Sequence, residues 1–141
     1  MITGGGSGIG KAIAKRFTDA GATVVIVGRN KEKLESAAAE ISSPRLECMQ
    51  WDISDLSLCE SNFKRAAELI GGLDGFVNAA ALGSAVVTGR GYEPWDITEE
   101  EWDTLTDVNF KAAFFMMRNE VDFMRARGIR GNILNIASNA A

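Results

Sequence analysis

Short β-branched runs alternate along this chain with longer stretches of helical periodicity. Residues 22–27 form one continuous run of this kind, typical of a strand buried on both faces of a parallel sheet. Further strands are predicted at residues 45–51, 73–80 and 131–137. The alternation of strands with helices predicts βαβ units, right-handed crossovers and a parallel sheet.

The intervals between these strands carry helix signals. In the first helix, apolar residues recur every four positions, as on one helix face: Ile9, Ile13 and Phe17. Gly21 follows as a C-terminal stop, and Asn30 is placed to cap a second helix that runs to about Ile41. Residues 55–70 predict a third helix, and the stretch from Gly83 to Pro94 predicts a long loop.

The longest predicted helix begins at a capping box, Thr98 to Glu101, and continues past Met124 with a possible break. Within it the apolar residues 114–117 span a full turn, so they cannot all face one core. Two explanations stay open. The helix is covered on two sides within its own domain, or it forms a subunit interface in a homo-oligomer.

Composition narrows the possible functions. The 141 residues suit one domain, and the net charge of −4, without a basic stripe, argues against nucleic acid as partner. The absence of histidine excludes Ser-His-Asp hydrolysis and His-ligated zinc, and we expect no metal site. Cys48 and Cys59 match no metal-ligand spacing and are expected to be free thiols. No apolar run approaches a membrane span and no signal-peptide layout is present, so we expect a cytoplasmic protein.

A glycine-rich loop lies between a short strand and the start of the first helix. It reads Thr3-Gly4-Gly5-Gly6-Ser7-Gly8-Ile9-Gly10. A pyrophosphate at such a place meets unpaired N–H groups and the positive end of the helix dipole. Side chains at the glycines would block the tight turn, the approach of a cofactor or helix packing. The Gly-x-x-x-Gly-x-Gly spacing differs from Gly-x-Gly-x-x-Gly and from a P-loop.

Four further positions follow this loop in order along the chain: Asp52, Asn78, Asn109 and Ser138. With the loop, they make the chain resemble the amino-terminal portion of the short-chain dehydrogenase/reductase family. The resemblance implies an α/β, Rossmann-type doubly wound parallel sheet over residues 1–141, incomplete at both ends. It would contain strands 1–5 of the usual seven, with the first strand shortened. It implies cofactor contacts from the loop residues Thr3, Gly4, Gly6, Ser7, Gly8, Ile9 and Gly10, from Asp52 and Ile53, and from Asn78, Ala79 and Ala80. It also implies catalytic roles for Asn109, which orders a proton-relay water, and Ser138, which binds the substrate oxygen.

Each match also has a structural explanation. Asp52 could cap the following helix, and Asn78 could tie neighbouring backbone together. Asn109, expected to be a buried amide in an apolar helix, needs a water or a backbone carbonyl as partner. Serine is common at strand ends, so Ser138 is supported only by the other matches. The run of matches at familiar distances along the chain supports all of them together.

Arg29 bears on the choice of nicotinamide cofactor. NAD enzymes place an acid at the end of the second strand, on the ribose 2′-hydroxyl, but residues 27–30 here read Val-Gly-Arg-Asn. Arginine suits a bidentate grip on a 2′-phosphate, which favours NADP over NAD. The alternative is an exposed Arg29 that opens a solvated helix.

The sequence departs from the family pattern in two ways. Ala79 and Ala81 replace an asparagine and a glycine, and the methyl of Ala81 is expected to crowd the backbone near the nicotinamide ribose. The family's Tyr-x-x-x-Lys acid/base pair is absent, because the single tyrosine, Tyr92, has no lysine four residues on. The resemblance implies an NAD(P)-dependent oxidoreductase that interconverts a carbonyl and an alcohol. The alternatives are a non-catalytic cofactor-binding module or inactive fragment and, less consistent with Ser7, a sugar-nucleotide epimerase.

Overall fold

The computed structural model describes residues 1–83, 88–89 and 94–138. They contain one parallel sheet of five strands in the order β3-β2-β1-β4-β5. The strands are β1 (Ile2–Thr3), β2 (Val24–Gly28), β3 (Leu46–Gln50), β4 (Gly75–Asn78) and β5 (Asn132–Asn135). The predicted α/β sheet with a shortened first strand is therefore confirmed.

Helices connect the strands. They are α1 (Gly8–Asp19), α2 (Lys31–Ile41), α3 (Cys59–Ile70), α4 (Glu99–Thr106) and α5 (Ala113–Ala126). Short 3₁₀ turns occupy Leu56–Leu58 and Pro94–Asp96, and a π-helical turn, Asp107–Ala112, joins α4 to α5. Much of the predicted long loop, including Tyr92, lies outside the described residues. No helix in the described ranges is long and apolar enough to cross a membrane.

Strand β1 is only two residues long, yet it lies at the centre of the sheet. Ile2 pairs with Ile26 of β2 on one side and with Val77 of β4 on the other. The Val77 amide donates to the Met1 carbonyl at 2.9 Å, which extends this ladder by one residue. The sheet order changes direction at β1, and an open α/β sheet binds ligands where the order reverses.

Helix α1 corrects one prediction. The helix forms as expected, but its buried residues are Gly10, Ala14 and Thr18, one position further on than the predicted apolar face. Ile9 is 61% exposed and Phe17 is 41% exposed. Gly10 packs on the carbonyl oxygen of Gly4, so the start of the helix lies too close to the sheet edge for large side chains. Small residues therefore face the sheet, Ile13 packs partly against the core, and Ile9 and Phe17 turn outward.

The core lies on both faces of the sheet. On one face α1 and α2 cover a cluster of aliphatic residues that includes Ile26 and Leu34. On the other face α3 and α5 cover an aromatic cluster in which Phe63 makes edge-to-face contacts with three rings. These rings are Trp51, Phe76 and Phe123, at centroid distances of 5.9, 5.1 and 5.6 Å. The two-sided core explains why the strands read as continuous apolar runs.

The local signals for helix ends are confirmed. The Asn30 side chain accepts from the Lys33 amide at 2.7 Å, and the capping box between Thr98 and Glu101 has both of its hydrogen bonds. Residues 114–117 are covered on one side only among the described residues. Met116 is buried at 1% exposure, whereas Phe114 is 54% exposed. The predicted coverage on two sides is therefore not found within the described part of the domain.

Candidate cofactor-binding site

A cleft of about 430 Å³ opens at the carboxyl ends of the strands, where the strand order reverses. The segments that follow β1, β2, β3 and β4 each contribute to its wall. Ten residues that the sequence predicted as cofactor contacts line it: Gly4, Ser7, Gly8, Ile9, Gly10, Arg29, Asp52, Ile53, Ala79 and Ala80. Five other predicted residues lie outside the lining: Thr3, Gly6, Asn78, Asn109 and Ser138.

The amino end of α1 points into this cleft. Ser7 is the N-cap residue, but within the described structure its side chain makes no capping hydrogen bond. The first turn of α1 contains no acidic residue. The first amides of a helix have no partner inside the helix, and the helix dipole places partial positive charge there. This end of α1 is therefore suited to an anionic group such as a pyrophosphate.

Three glycines of the loop are required by close packing, and one of them is Gly5, whose Cβ would overlap the Cβ of Ile26. Gly4 has a φ of +69°, and a Cβ there would lie 2.7 Å from the Cα of Ala80. A Cβ on Gly10 would overlap the carbonyl oxygen of Gly4. Gly6, by contrast, faces α2, where the backbone at Lys33 is 3.4 Å from its Cβ position. Gly4 and Gly10 therefore bring the loop, α1 and the segment after β4 together.

The segment 79–82, which follows β4, is fixed from two sides. The Thr3 hydroxyl oxygen accepts from the amides of Ala79 and Ala80, both at 3.2 Å. The Asn109 side chain accepts from the Leu82 amide at 2.7 Å and donates to the Leu82 carbonyl at 2.8 Å. Thr3 and Asn109 thus shape the cleft wall without lining the cleft.

Asn109 lies in the π-helical turn that breaks the long helix. π-helical turns widen a helix locally and are frequent at functional sites. The expected backbone partner is present at Leu82, but Asn109 itself is exposed rather than buried. The expectation of a buried amide was therefore wrong, because the helix presents this position at the rim of the cleft and not to the core.

Arg29 and Asp52 form an ion pair at the cleft wall, with 3.9 Å between Nη1 and Oδ2. Both side chains are about half exposed, so the pair contributes little to stability. The Asp52 carboxylate also accepts from the Ser54 amide at 3.0 Å. Asp55, not Asp52, caps the next turn by accepting from the Ser57 amide at 3.2 Å. The helix-cap explanation of Asp52 is therefore wrong, and its Oδ2 faces Arg29.

Asn78 joins the ends of two strands. Its side-chain amide donates to Asn135 Oδ1 at 2.9 Å and to Glu120 Oε2 at 3.0 Å. Its carbonyl accepts from the Ile136 amide at 2.9 Å, which continues the β4–β5 pairing beyond the strands. Ser138 follows two residues later, exposed, near the carboxyl end of β5. The side-chain amide of Asn78 donates to two other side chains, so the explanation that Asn78 ties neighbouring backbone together holds only for its carbonyl.

Glu120 was missed at the sequence level. It lies on α5 with no exposed surface, and burial raises the pKa of its carboxyl to about 7, although the hydrogen bond from Asn78 and the amino group of Met1 lower it. A signal for it exists in the sequence. Glu120 follows the buried Met116 by four residues and precedes the buried Phe123 by three, so the helical period places it inside.

A glycine turn beneath a helix amino end, at the reversal point of a parallel sheet, defines a Rossmann-type dinucleotide-binding fold. The short chain dehydrogenase family model matches residues 1–141. The chain therefore belongs to the short-chain dehydrogenase family.

Individual relatives agree with this assignment. An uncharacterized oxidoreductase of Staphylococcus aureus (strain MW2) is 34% identical over 139 residues, which cover 98% of this chain and 57% of the relative. The chain thus spans somewhat more than half the length of this curated relative. The crystal structure of a 3-ketoacyl-(acyl-carrier-protein) reductase from Brucella melitensis, complexed with NADH, matches with a TM-score of 0.83, 34% identity and coverage of 97% and 55%. The closed form of a serine dehydrogenase, complexed with NADP+, matches with a TM-score of 0.81, 30% identity and coverage of 99% and 55%.

Proposed function

We propose that this chain is the NADP-binding portion of an oxidoreductase that interconverts a carbonyl and an alcohol on a small molecule. The observation that carries the proposal is the amino end of α1, which lacks a side-chain cap within the described structure and opens on the cleft. Membership of the family and neighbours that bind NADH or NADP+ support a nicotinamide cofactor.

The residues present fit the dinucleotide part by part. The amides at residues 7–10 would hold the pyrophosphate, and Asp52 would contact the adenine. Small side chains at Ala79 and Ala80 leave room beside the nicotinamide ribose. When bound, the nicotinamide would supply or accept the hydride. Ser138 would donate a hydrogen bond to the substrate oxygen, and Asn109 would order a water that relays the proton.

Titration with NADPH tests the proposal directly. We expect saturable enhancement of nicotinamide fluorescence, because a ring bound in the cleft would be partly shielded from water. Binding without turnover would favour the alternative of a non-catalytic module. A well-folded chain that shows no saturable binding would contradict the proposal. Catalysis is tested separately by reading the coding sequence after Ala141 for Tyr-x-x-x-Lys, whose absence would refute the catalytic part.

Arg29 is proposed to select NADP over NAD. Charge-assisted hydrogen bonds contribute about 1.5–3 kcal/mol, so Arg29→Ala is expected to weaken NADPH binding roughly 10- to 100-fold. NADH, which lacks the 2′-phosphate, should bind Arg29→Ala and wild-type protein alike. Arg45→Ala removes an exposed arginine outside the cleft lining and serves as the control. Equal losses for NADPH and NADH would reject the assignment.

The complete protein is further proposed to be a homo-oligomer that buries the exposed apolar face of α4 and α5. This face carries four large exposed side chains: Trp102, Phe110, Phe114 and Val121. A charge at Phe114 would have to be desolvated in such an interface. We therefore expect Phe114→Glu to lower the molar mass in light scattering, whereas Trp95→Glu, at an exposed tryptophan outside this face, should not. An unchanged mass for Phe114→Glu would contradict the proposal.

A further inference from the structure

A polar cluster lies between two strand ends and a helix, and in it Glu120 is fully buried, Asn78 is half-buried and Asn135 is exposed. Its members are Asn78 on β4, Asn135 on β5 and Glu120 on α5. Asn78 and Asn135 are register partners in the sheet, and the Asn78 amide bonds to both other members at 2.9 and 3.0 Å. The Asn135 amide also donates to the sulfur of Met117 at 3.4 Å. One side chain of α5 is thus linked to the carboxyl ends of two neighbouring strands.

Glu120 and the side-chain oxygen of Asn78 are costly to bury, because neither is fully hydrogen-bonded. Glu120 has no exposed surface, and its Oε1 has no partner among the described residues. The same holds for Asn78 Oδ1. An apolar side chain at position 120, among Met116 and Phe123, would avoid this desolvation cost. A buried carboxyl at this place therefore points to a role other than stability, and a polar network fixes the relative positions of its members.

The strand ends that the cluster joins lead directly into the candidate site. Asn78 is followed at once by Ala79 and Ala80, whose backbone forms the cleft wall. Asn135 precedes Ser138 by three residues, and the Ile136 amide bonds back to the Asn78 carbonyl. A shift of β4 against β5 would therefore move the cleft wall and Ser138 relative to each other.

We propose that Glu120 is a positioning residue, which acts through Asn78 and Asn135 to hold the ends of β4 and β5 and so to place the cleft wall and Ser138. The effect of Glu120 on cofactor binding rests on the proposed function. The effect of Glu120 on the positions of the strand ends does not. Glu120 does not line the cleft, and the hydrogen bond that its side chain accepts comes from Asn78. Its effect must therefore pass through the two asparagines.

Three variants separate this role from general packing. Glu120→Leu removes the acceptor, Glu120→Gln keeps an acceptor for Asn78 in the same shape, and Asp122→Asn changes an exposed acid of the same helix. Hydrogen exchange is measured on peptides that cover residues 76–82 and 132–137, and NADPH affinity is measured in parallel. Both are done where circular dichroism shows each variant folded.

For Glu120→Leu we expect about tenfold faster exchange in both strand-end peptides and about tenfold weaker NADPH binding, as for one lost buried hydrogen bond. Glu120→Gln should exchange no faster than wild type at the strand ends and bind NADPH within about twofold of it, and Asp122→Asn should change neither. If Glu120→Leu does not fold, Asn135→Ala replaces it, with faster exchange expected at residues 76–82.

Two results would overturn the proposal. One is exchange that rises only in α5 and not at the strand ends. The other is a Glu120→Gln chain as fast-exchanging as Glu120→Leu, which would show that volume or charge matters and not the hydrogen bond to Asn78. If wild-type protein binds no NADPH while the strand-end exchange behaves as expected, the proposed function fails and the positioning role stands.

Discussion

A Gly4→Ala chain is expected to lose about 3 kcal/mol of unfolding free energy and most of its cofactor affinity. The φ of +69° disfavours any residue with a Cβ, at a cost of about 1–2 kcal/mol. The new methyl would also lie 2.7 Å from Ala80 Cα and 2.8 Å from the Ala79 carbonyl oxygen. Both neighbours are backbone atoms of the cleft wall, so no side-chain rotation relieves the contact. Urea unfolding and NADPH titration measure the two losses.

Gly21→Ala is the matched control for this substitution. Gly21 has a φ of +91°, but no described atom lies within 4 Å of its Cβ position. It therefore bears only the conformational cost, about 1–2 kcal/mol, and should leave NADPH binding unchanged. Equal stability losses in the two variants would show that the contact between Gly4 and Ala80 is not a constraint. Unimpaired NADPH binding by Gly4→Ala would show that the cleft does not depend on this contact.

Features set by neighbouring residues could be predicted from the sequence. The capping box at Thr98, the Asn30 cap and the continuous apolar run of β2 each depend on residues a few positions apart. The glycine loop is of the same kind, since its spacing alone places two glycines, Gly8 and Gly10, in the first turn of α1. These signals, taken with the strand–helix alternation, were sufficient for the parallel sheet.

Features set by contacts between distant segments could not be predicted in this way. The buried face of α1 differs from the predicted one because Gly10 meets Gly4 across the loop, which lets small residues approach the sheet. The exposure of Asn109 depends on the π-helical turn and on Leu82, which is 27 positions away. The sequence indicated a possible break without giving its position, and the place and geometry of the π-helical turn depend on tertiary contacts.

The predicted site residues divide into two groups by what they touch. Arg29, Asp52 and the loop from Ser7 to Gly10 line the cleft, whereas Thr3 and Asn109 support its wall through backbone hydrogen bonds. Both groups look alike in a sequence motif, because a motif records which positions are constrained and not by which contact. Glu120 belongs to the supporting group, but no motif contained it, and only its burial beneath Asn78 shows its part in the site.

Glu120 is also expected to make the folding stability depend on pH. Burial raises the pKa of its carboxyl from 4.5 to about 7, so between these values the folded protein binds more protons than the unfolded chain. The stability that this group contributes is therefore complete below pH 4.5 and is lost as the pH rises to about 7. The shift corresponds to about 3 kcal/mol. Because glutamine stays neutral, Glu120→Gln is expected to be more stable than wild type by about this amount above pH 7, and equal to it near pH 4.5.

Urea unfolding of both proteins across this pH range measures the difference. Two other titrating groups face Glu120. Burial lowers the pKa of the Met1 amino group, which also has Asp74 nearby, to about 6, and burial raises the pKa of the Cys59 thiol. The Met1 amine acts in the opposite sense, because a lowered pKa adds stability as the pH rises from 6 to 8. Subtracting the pH profile of wild-type stability from that of Glu120→Gln removes most of the contribution of the Met1 amine and the Cys59 thiol, since both proteins retain these groups. A difference that stays constant from pH 4.5 to 8 would show that Glu120 does not titrate there, and that the unpartnered Oε1 is ionised and stabilised by another contact.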